Sequence, residues 1–119
     1  MSEKLHAVYD YLISFFVILS PWIFGFHADT IATKITVLFG VVNFLDTIFT
    51  GHRLSLLHKT PMYFHLGLDS IWGILLSLSP WLFGFSNVVY LPHVIVGFVE
   101  MIVTITTHIP ENELNVPEE

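Results

Sequence analysis

Four long apolar stretches, at residues 5–26, 31–50, 62–85 and 88–109, are separated by brief polar breaks at 27–30, 51–61 and 86–87. A helix needs about 20 mostly apolar residues to cross a bilayer, and each stretch meets or approaches that length. Within them the polar residues recur at helical spacing. In the third stretch His65, Asp69, Gly73 and Ser77 fall every fourth residue, which places them on one helical face. The first stretch has His6, Asp10 and Ser14 at the matching places, and Ile18 ends the polar run. The second carries Thr36, Gly40, Asn43, Thr47 and Thr50, and the fourth repeats that spacing with His93, Gly97, Glu100, Thr104 and Thr107. The pattern predicts four helices, each with one polar stripe and an otherwise apolar surface.

The stripes match because the chain is two copies of one unit. Ser20-Pro21-Trp22-Ile23-Phe24-Gly25-Phe26 returns as Ser79-Pro80-Trp81-Leu82-Phe83-Gly84-Phe85, with six of seven positions identical at an offset of 59 residues. The stripes of stretches two and four align at an offset of 57, so the second outer turn is expected to be two residues shorter. The copies pair His6 with His65, Asp10 with Asp69, and Asn43 with Glu100. Repeats of this kind restrict the fold before any other consideration. The expected architecture is an all-α, integral membrane four-helix bundle made of two parallel two-helix repeats. Its halves are related by a pseudo-two-fold axis along the membrane normal. Residues 1–60 form the first repeat, 61–109 the second, and 110–119 an acidic tail expected to be disordered.

Composition supports a membrane location. Apolar residues make up 54% of the chain and charged ones 12%, about half the share in soluble domains. There is no cysteine, which removes disulfides, thiol nucleophiles and cysteine-ligated metals. A net charge of −6, much of it from Glu111, Glu113, Glu118 and Glu119, argues against nucleic acid. The start lacks a small-residue cleavage site, so the first helix is expected to act as its own insertion signal. Lys4, Arg53 and Lys59 share one side of the four-span layout and Lys34 lies on the other. The positive-inside rule then puts both termini on the cytoplasmic side of the membrane.

The repeated motif has a physical reading. Pro21 and Pro80 each remove one backbone bond and are expected to kink their helices, with Ser20 and Ser79 offering hydroxyls to nearby carbonyls. Trp22 and Trp81 suit the outer membrane interface, and Gly25 and Gly84 suit a helix exit. Tyr9, Tyr11, Tyr63, Phe64 and Tyr90 read as an interfacial belt. Trp72, inside the third stretch, is compatible with either lipid contact or packing.

Two Ser-Pro-Trp motifs, each late in the first helix of a hairpin, resemble the SPW-repeat family of small bacterial integral membrane proteins. Asp10 and Asp69, about ten residues before each motif, fit the wider pattern. So does the mid-helix Gly73, although the first copy has Ser14 or Phe16 in that region. The resemblance covers about residues 5–108 and implies a membrane location and a four-helix layout. It brings no activity and no catalytic residue.

Candidate chemistry lies in the stripes, because ionisable groups inside a membrane are costly and face the bundle interior. Asp10, Asp46 and Asp69 fall at similar depth near the inner ends, with His6, His65, His52, His58 and His108 around or below them. Four readings follow. In the first, each His and Asp form an i,i+4 pair that fixes a helix end. In the second, Asp10, Asp46 and Asp69 lead protons or small cations toward Glu100, whose equivalent place in the first copy is held by Asn43. The third is metal binding by His6, Asp10, His65 and Asp69. The fourth is a haem held by His6 and His65. No nucleophilic triad, phosphate-binding loop or HExxH motif is present. The leading expectation is therefore a non-enzymatic scaffold or accessory subunit with no cofactor, embedded in the lipid bilayer as a homo-oligomer or within a larger complex. The alternatives are a proton or small-cation transporter and a metal or haem binder.

Overall fold

A computed structural model describes residues 2–50 and 62–107, apart from the side chains of Glu3 and Met62. The boundary at 60/61, the basic pair Arg53 and Lys59, His52, His58, His108 and the acidic tail lie outside the described residues. Four helices account for most of the described chain: α1 (Glu3–Ile23), α2 (Thr30–Phe49), α3 (Met62–Leu82) and α4 (Leu91–Thr106). α1 packs along α2 and α3 along α4, while the α2–α3 and α1–α4 contacts are sparser. The molecule is thus a pair of hairpins in one four-helix arrangement. Both hairpins open toward the same end.

Local chemistry sets the helix ends. Ser2 Oγ accepts from Leu5 N at 3.2 Å and Asp29 Oδ1 from Ala32 N at 2.9 Å, so each caps a free backbone donor at its helix start. The Ser-Pro-Trp motif closes α1 and α3. Pro21 has no N–H for the carbonyl four residues back, that of Val17. Ser20 Oγ donates to that carbonyl at 2.7 Å, and Ser79 Oγ donates to Leu76 O at 2.7 Å ahead of Pro80. The serine supplies the bond that the proline takes away. Two residues later the helix ends, and Gly25 and Gly84 adopt φ of 76° and 75°, a left-handed conformation that costs glycine little. Phe26 N then donates to Pro21 O at 2.8 Å and Phe85 N to Pro80 O at 2.7 Å, the six-residue bond of a Schellman motif. Phe26 and Phe85 turn inward and pack with Ala32, whereas Trp22 and Trp81 point outward. The prolines stand in the last turn of their helices, and the glycines form the helix exit that the sequence suggests.

Two expectations are corrected. α4 starts at Leu91 rather than 88, with Pro92 in its first turn, where a missing N–H costs nothing. The second outer connection, 83–90, is therefore longer than the first, 24–29, despite the shorter offset. The apolar helices differ in length and composition. Lys4–Ile23 and Thr30–Phe49 are long and apolar enough to cross a membrane, and Leu91–Thr106 is apolar but has only 16 residues. α3 has 21 residues, diluted by His65, Asp69 and two glycines.

The distribution of side chains is inverted relative to a soluble bundle. His6, Asp10, Ser14, Thr36, Asn43, Thr47, His65, Asp69, His93 and Glu100 are buried, while leucines, isoleucines and phenylalanines stand exposed along every helix. Trp72 is packed rather than outward: it joins Val17, Leu76 and Val96 in the apolar mid-layer and donates Nε1–H to Phe39 O at 2.8 Å. Gly40 and Gly97 let the hairpins close. A methyl group at Gly40 would meet Ile18 Cγ1 at 2.5 Å, and one at Gly97 would collide with Ser77 Oγ and the Gly73 carbonyl.

Candidate functional site

At the open end of the hairpins the stripes of α1 and α3 face one another. His6 Nε2 lies 3.0 Å from Asp10 Oδ2 and 2.7 Å from Asp69 Oδ2, and His65 Nε2 lies 2.6 Å from Asp10 Oδ2 and 3.1 Å from Asp69 Oδ2. The four atoms form a closed ring in which nitrogen and oxygen alternate. Its two shorter edges cross between the repeats, and its two longer edges are the i,i+4 pairs within a helix. All four residues are fully buried. The imidazoles meet edge to face with ring centroids 5.4 Å apart.

Bonds outside the ring define the histidines further. Thr107 Oγ1 donates to Val103 O at 2.6 Å and lies 2.6 Å from His6 Nδ1. Thr50 Oγ1 donates to Asp46 O at 2.7 Å and lies 2.7 Å from His65 Nδ1. A hydroxyl has one hydrogen, and here the helix carbonyl takes it, so each threonine can only accept from the imidazole. Both Nδ1 atoms therefore carry a proton, which His65 also directs at Asp46 Oδ2, 2.8 Å away. The Nε2 atoms are left to face two carboxylates. Lone pairs cannot face lone pairs at these distances without something positive between them, so the ring requires protons between its Nε2 and Oδ2 atoms or a cation at its centre.

The layer next to the ring differs between the copies. Asn43 Nδ2 donates to Ser14 Oγ at 2.9 Å, and Ser14 Oγ donates to Asp10 O at 2.7 Å. Glu100, the counterpart of Asn43, has both carboxyl oxygens buried without a partner, as are Tyr9 Oη, Asp10 Oδ1 and Asp69 Oδ1. The Asp69 carboxyl and the Tyr9 hydroxyl stand near enough to Glu100 to act on it as hydrogen-bonding neighbours, and Asp10 acts on it through charge. It is not bonded to Asn43 or to a threonine. Further out, Thr36 Oγ1 donates to Ala32 O and so accepts from His93 Nε2 at 2.7 Å. His93 Nδ1 has no partner and lies among the rings of Phe26 and Phe85.

The expected site residues therefore divide. His6, Asp10, His65 and Asp69 come together, and Asp46 joins them through His65. Asp46 also lines a cavity of about 250 Å³ between α2 and α3, together with Asn43, Trp72 and apolar side chains. Asn43 and Glu100 sit one layer away without touching. Ser20, Pro21, Trp22, Ser79, Pro80 and Trp81 lie at the opposite end and serve the helix termini. A haem between His6 and His65 does not fit, because the two carboxylates fill the space between the imidazoles. Sequence reasoning had placed Thr50 and Thr107 in the stripes without assigning them to the histidines. It read Tyr9 as an interfacial ring, although its hydroxyl is buried. The signal was available for the threonines: each closes its stripe seven residues beyond Asn43 or Glu100.

Fold and site together define a two-fold, all-α module of paired hairpins with a buried His/Asp centre. A family model described as SPW repeat domain matches residues 4–107, and the chain belongs to that family. Comparisons with curated proteins and with solved structures return no match.

Proposed function

We propose that this protein is a non-enzymatic, multi-pass integral membrane module, with all four helices in the bilayer and both termini on the cytoplasmic side. It serves as a scaffold or accessory subunit that assembles with further copies of itself or within a larger membrane complex. The observation that carries this reading is the inverted distribution of side chains. Charged and hydroxyl groups cross-link the two hairpins from within, and the outer surface is apolar on all helices, which suits lipid and not water. Complete burial of His6, Asp10, His65 and Asp69 supports a role in joining the hairpins over one in turning over a substrate. Reporter fusions at the C-terminus, combined with alkaline extraction of membranes, test the placement. The protein is expected in the membrane fraction with a cytoplasmic C-terminus. Release into the soluble fraction, or a C-terminal reporter active only outside the cytoplasm, would refute it.

A second reading draws on Glu100. A carboxyl group whose oxygens are both buried and unpartnered is expensive to keep for structure alone. In this reading Asp46, Asp10, Asp69, Asn43 and Glu100 pass protons or small cations between the two sides. Flux into proteoliposomes, with Glu100→Gln as the control, decides the matter. Equal flux in wild type, variant and empty vesicles removes this reading and leaves the first.

A further inference from the structure

We propose that His6, Asp10, His65 and Asp69 are the four ligands of a single divalent transition-metal ion, of the Zn²⁺ class, bound on the pseudo-two-fold axis between the hairpins. The four ligand atoms lie within 4.8 Å of one another. Each histidine presents Nε2 inward because its Nδ1–H is already committed, to Thr107 in one case and to Thr50 and Asp46 in the other. That is the arrangement metal-bound histidines adopt, in which the outer N–H is held by an acceptor and the inner lone pair is aimed at the ion. A second observation comes from outside the ring edges. Asp10 Oδ1 and Asp69 Oδ1 are buried with no partner, so each carboxylate keeps acceptor capacity that the protein leaves unused.

The geometry and charge both suit such an ion. Tetrahedral coordination with bonds of 2.0–2.1 Å separates neighbouring donors by about 3.3 Å. The four ring edges of 2.6–3.1 Å open by about half an ångström on reaching it, and the two diagonals, which lie within 4.8 Å, close toward the same value. Two imidazoles and two carboxylates select a first-row transition metal, since Ca²⁺ and Mg²⁺ prefer oxygen throughout. One divalent cation with two neutral imidazoles and two carboxylates is neutral overall. It takes the place of the ring protons without leaving net charge in the buried ring. Because each hairpin contributes one histidine and one aspartate, the ion would tie the repeats together across their sparser interface.

Full-length protein in detergent, stripped with a chelator and dialysed, is titrated with Zn²⁺ by calorimetry and with Co²⁺ by visible absorption. One ion per chain is expected, with the intense visible bands of four-coordinate Co²⁺. The paired substitution Asp10→Asn and Asp69→Asn keeps the side-chain shape and is expected to abolish stoichiometric binding. Thr107→Val leaves all four ligands in place and is expected to weaken binding by about 10–100-fold, the usual effect of removing an outer partner. His27→Gln, at the other end of the molecule, is expected to change nothing. Stripped wild type that takes up neither ion at one per chain overturns the proposal whatever the variants do. So does binding by the helical Asp10→Asn, Asp69→Asn protein that equals wild type, or binding lost in His27→Gln.

Discussion

The two hairpins agree where they touch each other and differ where each stands alone. His6 and His65, and Asp10 and Asp69, are the same residue types because each reaches across to the other copy. Thr50 and Thr107 back them from equivalent places. One layer away, the first hairpin has Ser14 bonded to Asn43, a self-contained pair. The second has Gly73 beside Glu100, so the serine hydroxyl of the first copy is missing there, and both carboxyl oxygens are left without a bonded partner. A pseudo-two-fold axis constrains only what meets on it, so the neighbouring layer is free to diverge. The second hairpin leaves both oxygens of an ionisable group unpartnered there, whereas the first leaves only the amide oxygen of Asn43 so.

The largest expected effect lies in how tightly each hairpin closes. A Cβ at Gly97 would collide with the Gly73 carbonyl, and the Ser77 backbone N is 3.0 Å away. At Gly40 the nearest atom is a side-chain one, the Cγ1 of Ile18 at 2.5 Å, and the nearest backbone atoms, Ile18 N and Ser14 O, are 3.0 Å away, so no carbonyl is struck as at Gly97. Gly97→Ala is therefore expected to cost about 3 kcal/mol, at the upper end of the usual range for overpacking, and Gly40→Ala about 1 kcal/mol. Thermal unfolding in detergent measures both. Equal losses would show that the hairpins close in the same way and that the asymmetry is confined to polar groups.

Smaller and opposite in sign is the effect at the middle layer. Replacing Glu100 by methionine removes two unpartnered oxygens from a buried place at similar volume, and is expected to raise stability by about 1–2 kcal/mol. Asn43→Leu breaks the bond to Ser14 and is expected to lower it by about 1 kcal/mol. The same unfolding assay reads both variants. A loss of stability in Glu100→Met would mean that Glu100 holds the second hairpin together, as Asn43 does the first, and the contrast between the copies would vanish.

The helices, the stripes and the pairing of the repeats were legible in the sequence because they are periodic. A polar residue every third or fourth place, within apolar surroundings, has only the bundle interior to face. The candidate ring was legible only as a set of residue types. That His6 bonds more closely to Asp69 than to Asp10 depends on how the hairpins dock, and spacing along one helix carries no information about that. The commitment of each Nδ1 to a threonine was hidden for the same reason, since His6 and Thr107 are at opposite ends of the chain. The helix ends at the two motifs were legible through Gly25 and Gly84, whereas the start of α4 at Leu91 was not. Proline removes a bond wherever it stands, and the glycine four residues later marks that place as a terminus. The bare carboxyl of Glu100 could not be read at all, because it follows from the absence of a hydroxyl at Gly73 on another helix.

The smallest effect is expected to be identical in the two copies. In Ser20-Pro21 the hydroxyl donates to the carbonyl of Val17, which Pro21 leaves without its backbone donor, and Ser79-Pro80 repeats this at Leu76. A helical serine often bonds back to a carbonyl for no such reason, so the two explanations need separating. Ser20→Ala alone is expected to cost about 1 kcal/mol, the penalty for a buried carbonyl left unpaired. In a Pro21→Ala background the backbone N–H returns to that carbonyl, and Ser20→Ala is expected to cost almost nothing. The coupling of about 1 kcal/mol between the two substitutions should recur at Ser79 and Pro80. If Ser20→Ala costs the same with and without the proline, the hydroxyl does not stand in for the missing N–H. If the coupling is present in one copy alone, the helix terminators are as asymmetric as the middle layer, and the two-fold agreement is limited to the His/Asp ring.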